Sequence, residues 1–206
     1  PDRRLAMPMH APHLSAWLAG QSPGAAVPTT LRFELQAALV QLGAEERGQF
    51  ADRAQIAMVV LDNRTGGVVA WLGGSDFFGR AGQVDLVRAR RSPGSALKPL
   101  IYAMAFDDRT LHPDSLVEDV PVRFRDWLPR NFDRSHQGAV TVRRALQQSL
   151  NVPAVLALEK VGPQRFLSTL RTAGVSPGLP PGDLGNSLGI ALGSATVSPL
   201  ELAGLY

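Results

Sequence analysis

The chain has 206 residues, 45% hydrophobic and 19% charged, which fits a soluble globular class built as one large domain or a domain with an appendage. Its net charge is only +3 and its 21 basic residues are scattered, with no long basic run and no basic–aromatic interleaving, so nucleic acid is not an expected partner. The absence of cysteine excludes a disulfide frame and a thiolate zinc site, and no run reaches the ~18 apolar residues of a membrane span.

Residues 1–28, rich in proline and glycine, read as a linker or N-terminal segment with a short helix around Leu14–Leu18. His10 and His13 stand three apart among prolines, without a cysteine or carboxylate partner, and read as loop residues rather than metal ligands. Thr29 and Thr30 offer an N-cap to a helix whose apolar stripe, Leu31, Leu35, Ala38, Leu39 and Leu42, ends near Gly43. Gln55–Leu61 and Val68–Leu72, joined by turn residues Asp62 to Gly67, read as a β-hairpin buried on both faces, with Trp71 inside it. Burial on both faces calls for helices against a sheet and gives an α+β class. Residues 73–92 read as a glycine-rich polar loop; Gly73-Gly74 is followed by neither a helix start nor a lysine, so it is not read as a phosphate loop.

A helix is expected over 95–106, ending at Asp107-Asp108, whose charge opposes the helix dipole. Residues 107–140 show few regular elements; His112 and His136 read as surface or satisfied residues, and Trp127 as either cleft rim or core. Helices follow over 140–150, 154–160 and 163–173, then a loop over 174–189 and another helix over 199–206. Residues 29–206 are expected to form one domain. The sequence begins at Pro1 without a methionine or a secretory signal pattern and ends inside an apolar run, so it reads as a piece of something longer.

Two lysines occur in the whole chain, Lys98 and Lys160, and the first lies three residues after Ser95 in "SPGSALKPLIYAMAF". On a helix that spacing puts both side chains on one face. Arginine stays protonated, whereas a buried lysine can lose its proton and serve as a base for a serine nucleophile. Pro99 cannot bond to the carbonyl of Ser95, which is expected to leave the backbone there free. An isolated S-x-x-K more often marks a capping serine and a solvated lysine, so the flanking sequence decides. Ser149 and Asn151, in "ALQQSLNVPAV", would by themselves read as a helix C-terminus running into Pro153. Arg88, Arg90 and Arg91 precede the serine and read as a solvated loop or as a long-range attractor for a carboxylate-bearing substrate.

With its flanks, the Ser95 segment resembles the nucleophile segment of penicillin-binding transpeptidases and serine β-lactamases, whose first motif is S-x-x-K. Ser149-Leu150-Asn151 matches the second motif, S-x-N, at a fitting separation. "MVVLDNRTGGVVAWLGG", "WLPRNFDRSHQGAVTVRRAL" and "LGSATVSPLELAGLY" resemble the first hairpin, the segment before the second motif and the segment before the third. The likeness is closest to class A penicillin-binding proteins, and the opening "MPMHAPH" is similar to the 1C type. Against a β-lactamase, the nearest candidate for a deacylating segment, Asp183-Leu184-Gly185-Asn186, lacks the glutamate and the spacing.

The resemblance implies an antiparallel sheet flanked by helices and a peptidoglycan D,D-transpeptidase working through an acyl-enzyme. Ser95 would be the nucleophile, Lys98 its base, Ser149 a proton relay and Asn151 a positioning group, with no cofactor. The implied partners are peptidoglycan stem peptides, with β-lactams as covalent inhibitors, and the membrane, through a segment outside this chain at the periplasmic face or cell exterior. The third motif, Lys-Thr-Gly, does not occur in the sequence. In the family it supplies one wall of the cleft and one of two oxyanion donors, so these 206 residues alone are expected to be catalytically crippled. A non-catalytic penicillin-recognising or peptidoglycan-binding module is the alternative.

Overall fold

The computed structural model describes residues 9–50, 54–124 and 127–206; Met7 and Pro8 of the opening motif lie outside them. The chain divides into two compact units, Pro1–Arg90 with Ser198–Tyr206, and Arg91–Val197.

In the first unit, helix α1 spans Pro12–Gln21, longer at both ends than expected, with a proline in its first turn where the ring's fixed φ fits. It buries Leu14 against Trp71 and Val87, and Trp17 stacks on Trp71 at 6.0 Å. His13 is no loop residue: it is a buried helix position whose Nε2 lies 2.7 Å from the Gly82 carbonyl.

Helix α2 spans Phe33–Arg47. It does not use the expected threonine caps; Arg32 stands at the N-cap without a side-chain bond, and the Thr30 hydroxyl donates to the Val68 carbonyl at 2.6 Å. Nor does the helix stop at Gly43. That glycine is a buried interior position, where a Cβ would lie 2.3 Å from Leu72 Cδ2, so it serves close packing rather than a C-cap. The buried face is Gln36, Leu39 and Gly43, while Leu35 and Leu42 of the expected stripe are exposed. A polar residue faces inward because its amide is fully engaged. Gln36 Nε2 donates to the carbonyls of His10 (2.7 Å) and Trp71 (2.9 Å), and Gln36 Oε1 accepts from Trp71 N (2.7 Å).

Strands β1 (Met58–Leu61) and β2 (Val68–Leu72) form the expected hairpin, antiparallel from Met58↔Leu72 to Leu61↔Val68 with a bulge between Val60 and Leu61. Asp62 organises the turn by accepting from Arg64 N, Thr65 N and the Thr65 hydroxyl. Val59 and Trp71 join the cluster with Leu14, whereas Met58, Ala70 and Leu72 pack with Leu39 on the other face. Burial on both faces holds for β2; β1 is half-buried and Val60 is exposed.

In the second unit, Gly94–Leu97 is a 3-10 turn that feeds helix α3, Lys98–Asp107. Strands β3 (Leu116–Asp119) and β4 (Gly138–Thr141), which lie in the stretch read as largely irregular, pair antiparallel from Leu116↔Thr141 to Asp119↔Gly138. Helices α4 (Val142–Gln147), α5 (Asn151–Val161) and α6 (Pro163–Thr172) follow, then a 3-10 turn over Leu188–Leu192. α3 packs on α5. Leu97, Ile101 and Tyr102 are fully buried, as are Val152, Val155 and Leu158, each aliphatic side chain contributing ~1.5–3 kcal/mol. Asp108, unfavourable toward the α3 dipole, is held in a two-pronged bond by Arg165 of α6, which keeps its carboxyl below the usual range.

Helix α7, Pro199–Leu205, belongs to the first unit and starts with a capping box between Ser198 and Glu201. The α+β class with antiparallel pairing is therefore what forms, its strands among the described residues arranged as two two-stranded sheets rather than one. Among the described residues no helix is long and apolar enough to cross a membrane.

Candidate active site

The expected helix over 95–106 begins as a 3-10 turn, and this matters for Ser95. In that geometry side chains three apart eclipse, so Ser95 and Lys98 project on one side. The Ser95 carbonyl is not free as expected: with Pro99 unable to donate, Lys98 N–H takes it in the tighter 3-10 pattern. The Ser95 side chain is exposed, and neither its hydroxyl nor its N–H has a hydrogen-bond partner among the described residues. Gly193, at φ +93°, lies against this turn. A Cβ there would come 2.6 Å from Gly94 N, and Ser92 Oγ donates to the Gly193 carbonyl at 2.7 Å. Only glycine permits both that φ and that approach.

Lys98 is the first residue of α3 and is 1% exposed. Its Nζ donates to Ser149 O (2.7 Å), Ser149 Oγ (3.2 Å) and Asn151 Oδ1 (2.7 Å). None of these partners carries charge, and among the described residues no carboxylate bonds to Lys98, Ser149 or Asn151. Burial without a counter-charge favours the neutral amine and pushes the lysine pKa down from 10.5 to about 8.

Ser149 and Asn151 do not end a helix. α4 stops at Gln147, and Asn151 opens α5, with Pro153 tolerated in its first turn. Between the two helices Ser149 takes φ +53°, left-handed for a residue with a side chain. That conformation lets its carbonyl and hydroxyl both face Lys98. Three of the four residues singled out in the sequence are thus joined by hydrogen bonds, and Ser95 stands one turn ahead of Lys98 without one.

Two residues of this neighbourhood escaped the sequence reading. Asn131 is buried, and its Oδ1 accepts from Asn151 N at 2.7 Å. Asp119 is fully buried and accepts from Asn131 Nδ2 at 2.8 and 2.9 Å. The only signal for Asn131 was its place in the segment before the second motif; Asp119 had none. Trp127, read as either cleft rim or core, lines a groove with Ser187, Gly193 and Ser194. Asp183 is turned onto Gly185 N at 2.7 Å, and Leu184 beside it is exposed. Arg88 lies over the Trp17 ring at 4.3 Å, and Arg90 pairs with Glu201 at 3.1 Å, so packing and an ion pair account for both.

Residues 56–206 match the family described as "Penicillin binding protein transpeptidase domain". The chain is 40% identical to penicillin-binding protein 1C of Escherichia coli over 202 residues, 97% of this chain and 26% of that protein. It is 36% identical to penicillin-binding protein 1F of Bacillus subtilis over 156 residues, 74% of this chain and 21% of the relative. Among solved structures it resembles penicillin-binding protein 1A of Haemophilus influenzae, with a TM-score of 0.62 and 27% identity over 72% of this chain and 22% of the other. The PonA1 protein of Mycobacterium tuberculosis in complex with penicillin V shares the fold, with a TM-score of 0.70 at 22% identity over 92% of this chain and 52% of that one. The chain spans about a quarter of the length of the curated relatives it matches. With a family match across most of its residues and a buried lysine held by a serine and an asparagine, the chain belongs to the penicillin-binding protein transpeptidase domain family.

Proposed function

We propose that this chain carries the D,D-transpeptidase reaction that crosslinks peptidoglycan stem peptides, through an ester on Ser95. The observation that supports it most is Lys98, a buried lysine with uncharged partners and a pKa brought to about 8. About a tenth of such a lysine is neutral at pH 7, enough for a general base. A neutral amine has two N–H bonds and one lone pair. The two 2.7 Å contacts, to Ser149 O and Asn151 Oδ1, use the N–H bonds and leave the lone pair for a hydroxyl.

In the first step Ser95 Oγ bonds to the carbonyl carbon of the D-Ala-D-Ala amide, and its proton passes to Lys98 Nζ. The carbonyl π pair becomes an oxyanion, which the unpartnered Ser95 N–H can meet. On collapse the C–N bond breaks. The departing amine takes a proton from Ser149 Oγ, which regains one from Lys98. An amine from a neighbouring stem peptide then attacks the ester, its proton returns along the same groups, and Ser95 is released. A β-lactam amide would open by the same steps, but its leaving nitrogen stays tethered and the ester persists. The lack of a carboxylate on the Lys98 cluster among the described residues disfavours water as acceptor, which supports transfer over hydrolysis. This reading puts the reaction where stem peptides are, on the periplasmic or outer side of the cell membrane.

The test uses the full chain as the gene encodes it, labelled with a fluorescent penicillin. Wild type should label and Ser95→Ala should not. Undiminished labelling of Ser95→Ala would end the proposal, and labelling without crosslinking of D-Ala-D-Ala peptides would reduce the protein to a penicillin-recognising module.

A further inference from the structure

The transpeptidase reading uses Lys98, Ser149 and Asn151 but leaves unexplained a second row of buried polar groups behind them. Asn131 Nδ2 donates to both oxygens of Asp119 and, at 2.9 Å, to the Ser135 carbonyl, while its Oδ1 accepts from Asn151 N. Asn151 Nδ2 donates to the Arg130 carbonyl at 2.7 Å, which leaves its Oδ1 for Lys98. Every amide orientation here is forced. A carboxylate and a carbonyl can only accept, and a backbone N–H can only donate, so Asn131 cannot flip without breaking bonds at both ends, and a flipped Asn151 would set its oxygen against the Arg130 carbonyl.

The row also fills a gap in local structure. Helix α5 begins at Asn151 with Leu150 at its N-cap and no side-chain cap. The Asn151 N–H would be an orphan donor, and the missing acceptor arrives from Asn131, twenty residues away. Residues 130 and 131 therefore grip Asn151 at two points, its main chain and its side chain. Asp119, fully buried, is filled from Asn131 and from Gln137 N at 2.9 Å, and His136 Nδ1 stands 3.6 Å from it.

We propose that Asn131, oriented by Asp119, is a positioning residue: its amide fixes the first turn of α5 so that Asn151 Oδ1 meets Lys98 Nζ in the geometry acylation needs. The proposal rests on Ser95 acylation as read above. It assigns the row a kinetic role, because a displacement of about 1 Å at a reacting group costs about 100-fold in rate.

The test measures acylation of the full chain by a fluorescent penicillin, separating the binding constant from the first-order acylation rate and normalising to the labelled end point. In Asn131→Asp, oxygen replaces the donor facing Asp119; in Asp119→Asn, a group that can donate replaces one acceptor. Each should lower the acylation rate about 10- to 100-fold with binding within about twofold. The double variant Asp119→Asn/Asn131→Asp exchanges donor and acceptor between the two side chains and leaves Asn151 N–H its acceptor, but the Ser135 carbonyl loses its donor, so the rate should recover in part, to at least about threefold above either single variant. A merely structural role would move the melting temperature and the labelled fraction but not the rate of the labelled molecules. Should the single variants fold too poorly to measure, Asn131→Ser, whose hydroxyl is too short to span both partners, should show the same rate loss. A wild-type rate in Asn131→Asp or Asn131→Ser, or a double variant no faster than the singles, overturns the proposal. Loss of wild-type labelling, or undiminished labelling of Ser95→Ala, would instead sink the transpeptidase reading itself.

Discussion

Two buried amides in this chain perform the same mechanical task with different consequences. In the first unit, Gln36 clamps the main chain of Trp71 through both its N–H and its carbonyl. In the second, Asn131 clamps the main chain of Asn151. Both side chains are almost fully buried, at 2% and 5% exposure, and both satisfy backbone groups that would otherwise be orphaned. The difference lies in what stands at the far end. Gln36 joins neutral groups to neutral groups and ends at the His10 carbonyl. Asn131 lies between a buried carboxylate and a residue bonded to an ionisable lysine. The first device should register in stability alone, the second in chemistry, and the experiments below separate the two.

The largest effect is expected where the second row meets Lys98, the proposed base. Lys98→Arg keeps the positive charge but cannot release its proton near neutral pH. β-Lactam acylation should fall at least about 10³-fold, within the range that loss of a general base produces. Stopped-flow labelling, with a thermal melt to confirm folding, measures it. A loss under tenfold would show that Lys98 is not the base, and the contrast between the two amides would lose its chemical end.

Part of this arrangement is legible in the sequence, and the rest is hidden for physical reasons. The hairpin was legible because Met58–Leu61 and Val68–Leu72 are apolar runs bracketing a turn with its own side-chain bonds. Ser95, Lys98, Ser149 and Asn151 stood out as candidates because family motifs sit at short, fixed spacings, and hydrogen bonds join the last three. Gln36, Asp119 and Asn131 did not stand out, since an inward polar residue looks like a surface one until its partners are known, and those partners lie far away in sequence. Strands β3 and β4 were missed because each is four residues long and mixed in exposure, one ending in the buried Asp119. The start of α5 was misplaced because its cap is remote and Ser149 adopts a backbone conformation that composition does not signal.

A smaller effect should appear in the pH dependence of stability. Lys98 titrates near 8 when folded, against 10.5 unfolded. Below pH 8 both states are protonated and the cost of burying the charge is fully present. Between pH 8 and 10.5 the unfolded chain binds more protons than the folded one, so stability rises with pH; above 10.5 the cost is gone. Tyr102 opposes this at the alkaline end, since burial, and then the Asp119 charge, raise its pKa. The comparison is therefore wild type against Lys98→Met. Their stability difference should shift by roughly 3 kcal/mol in favour of wild type between pH 7.5 and 10.5, read by denaturant unfolding. The same ionisation predicts a wild-type acylation rate that climbs with pH and levels off above about 8. A flat stability difference would mean that Lys98 is solvated in the folded protein.

The smallest effect belongs to the neutral clamp and completes the comparison. Gln36→Ala removes the partner of Trp71 N–H and Trp71 O without opening either to water, since Trp71 is 2% exposed and Ala70 and Leu72 beside it are also buried. Leaving buried backbone groups unpaired costs about 1–3 kcal/mol, so the denaturation midpoint should fall by that equivalent. The β-lactam acylation rate of the labelled molecules should stay within about twofold of wild type, because among the described residues no hydrogen bond of Gln36 or of its partners His10 and Trp71 reaches Lys98, Ser149 or Asn151; the one carboxylate next along is Asp85, on the Trp71 ring nitrogen. If Gln36→Ala instead slowed acylation as much as Asn131→Asp, amide clamps in this chain would be general scaffolding. Asn131 would then have no special claim on the lysine, however directly its hydrogen bonds run toward it.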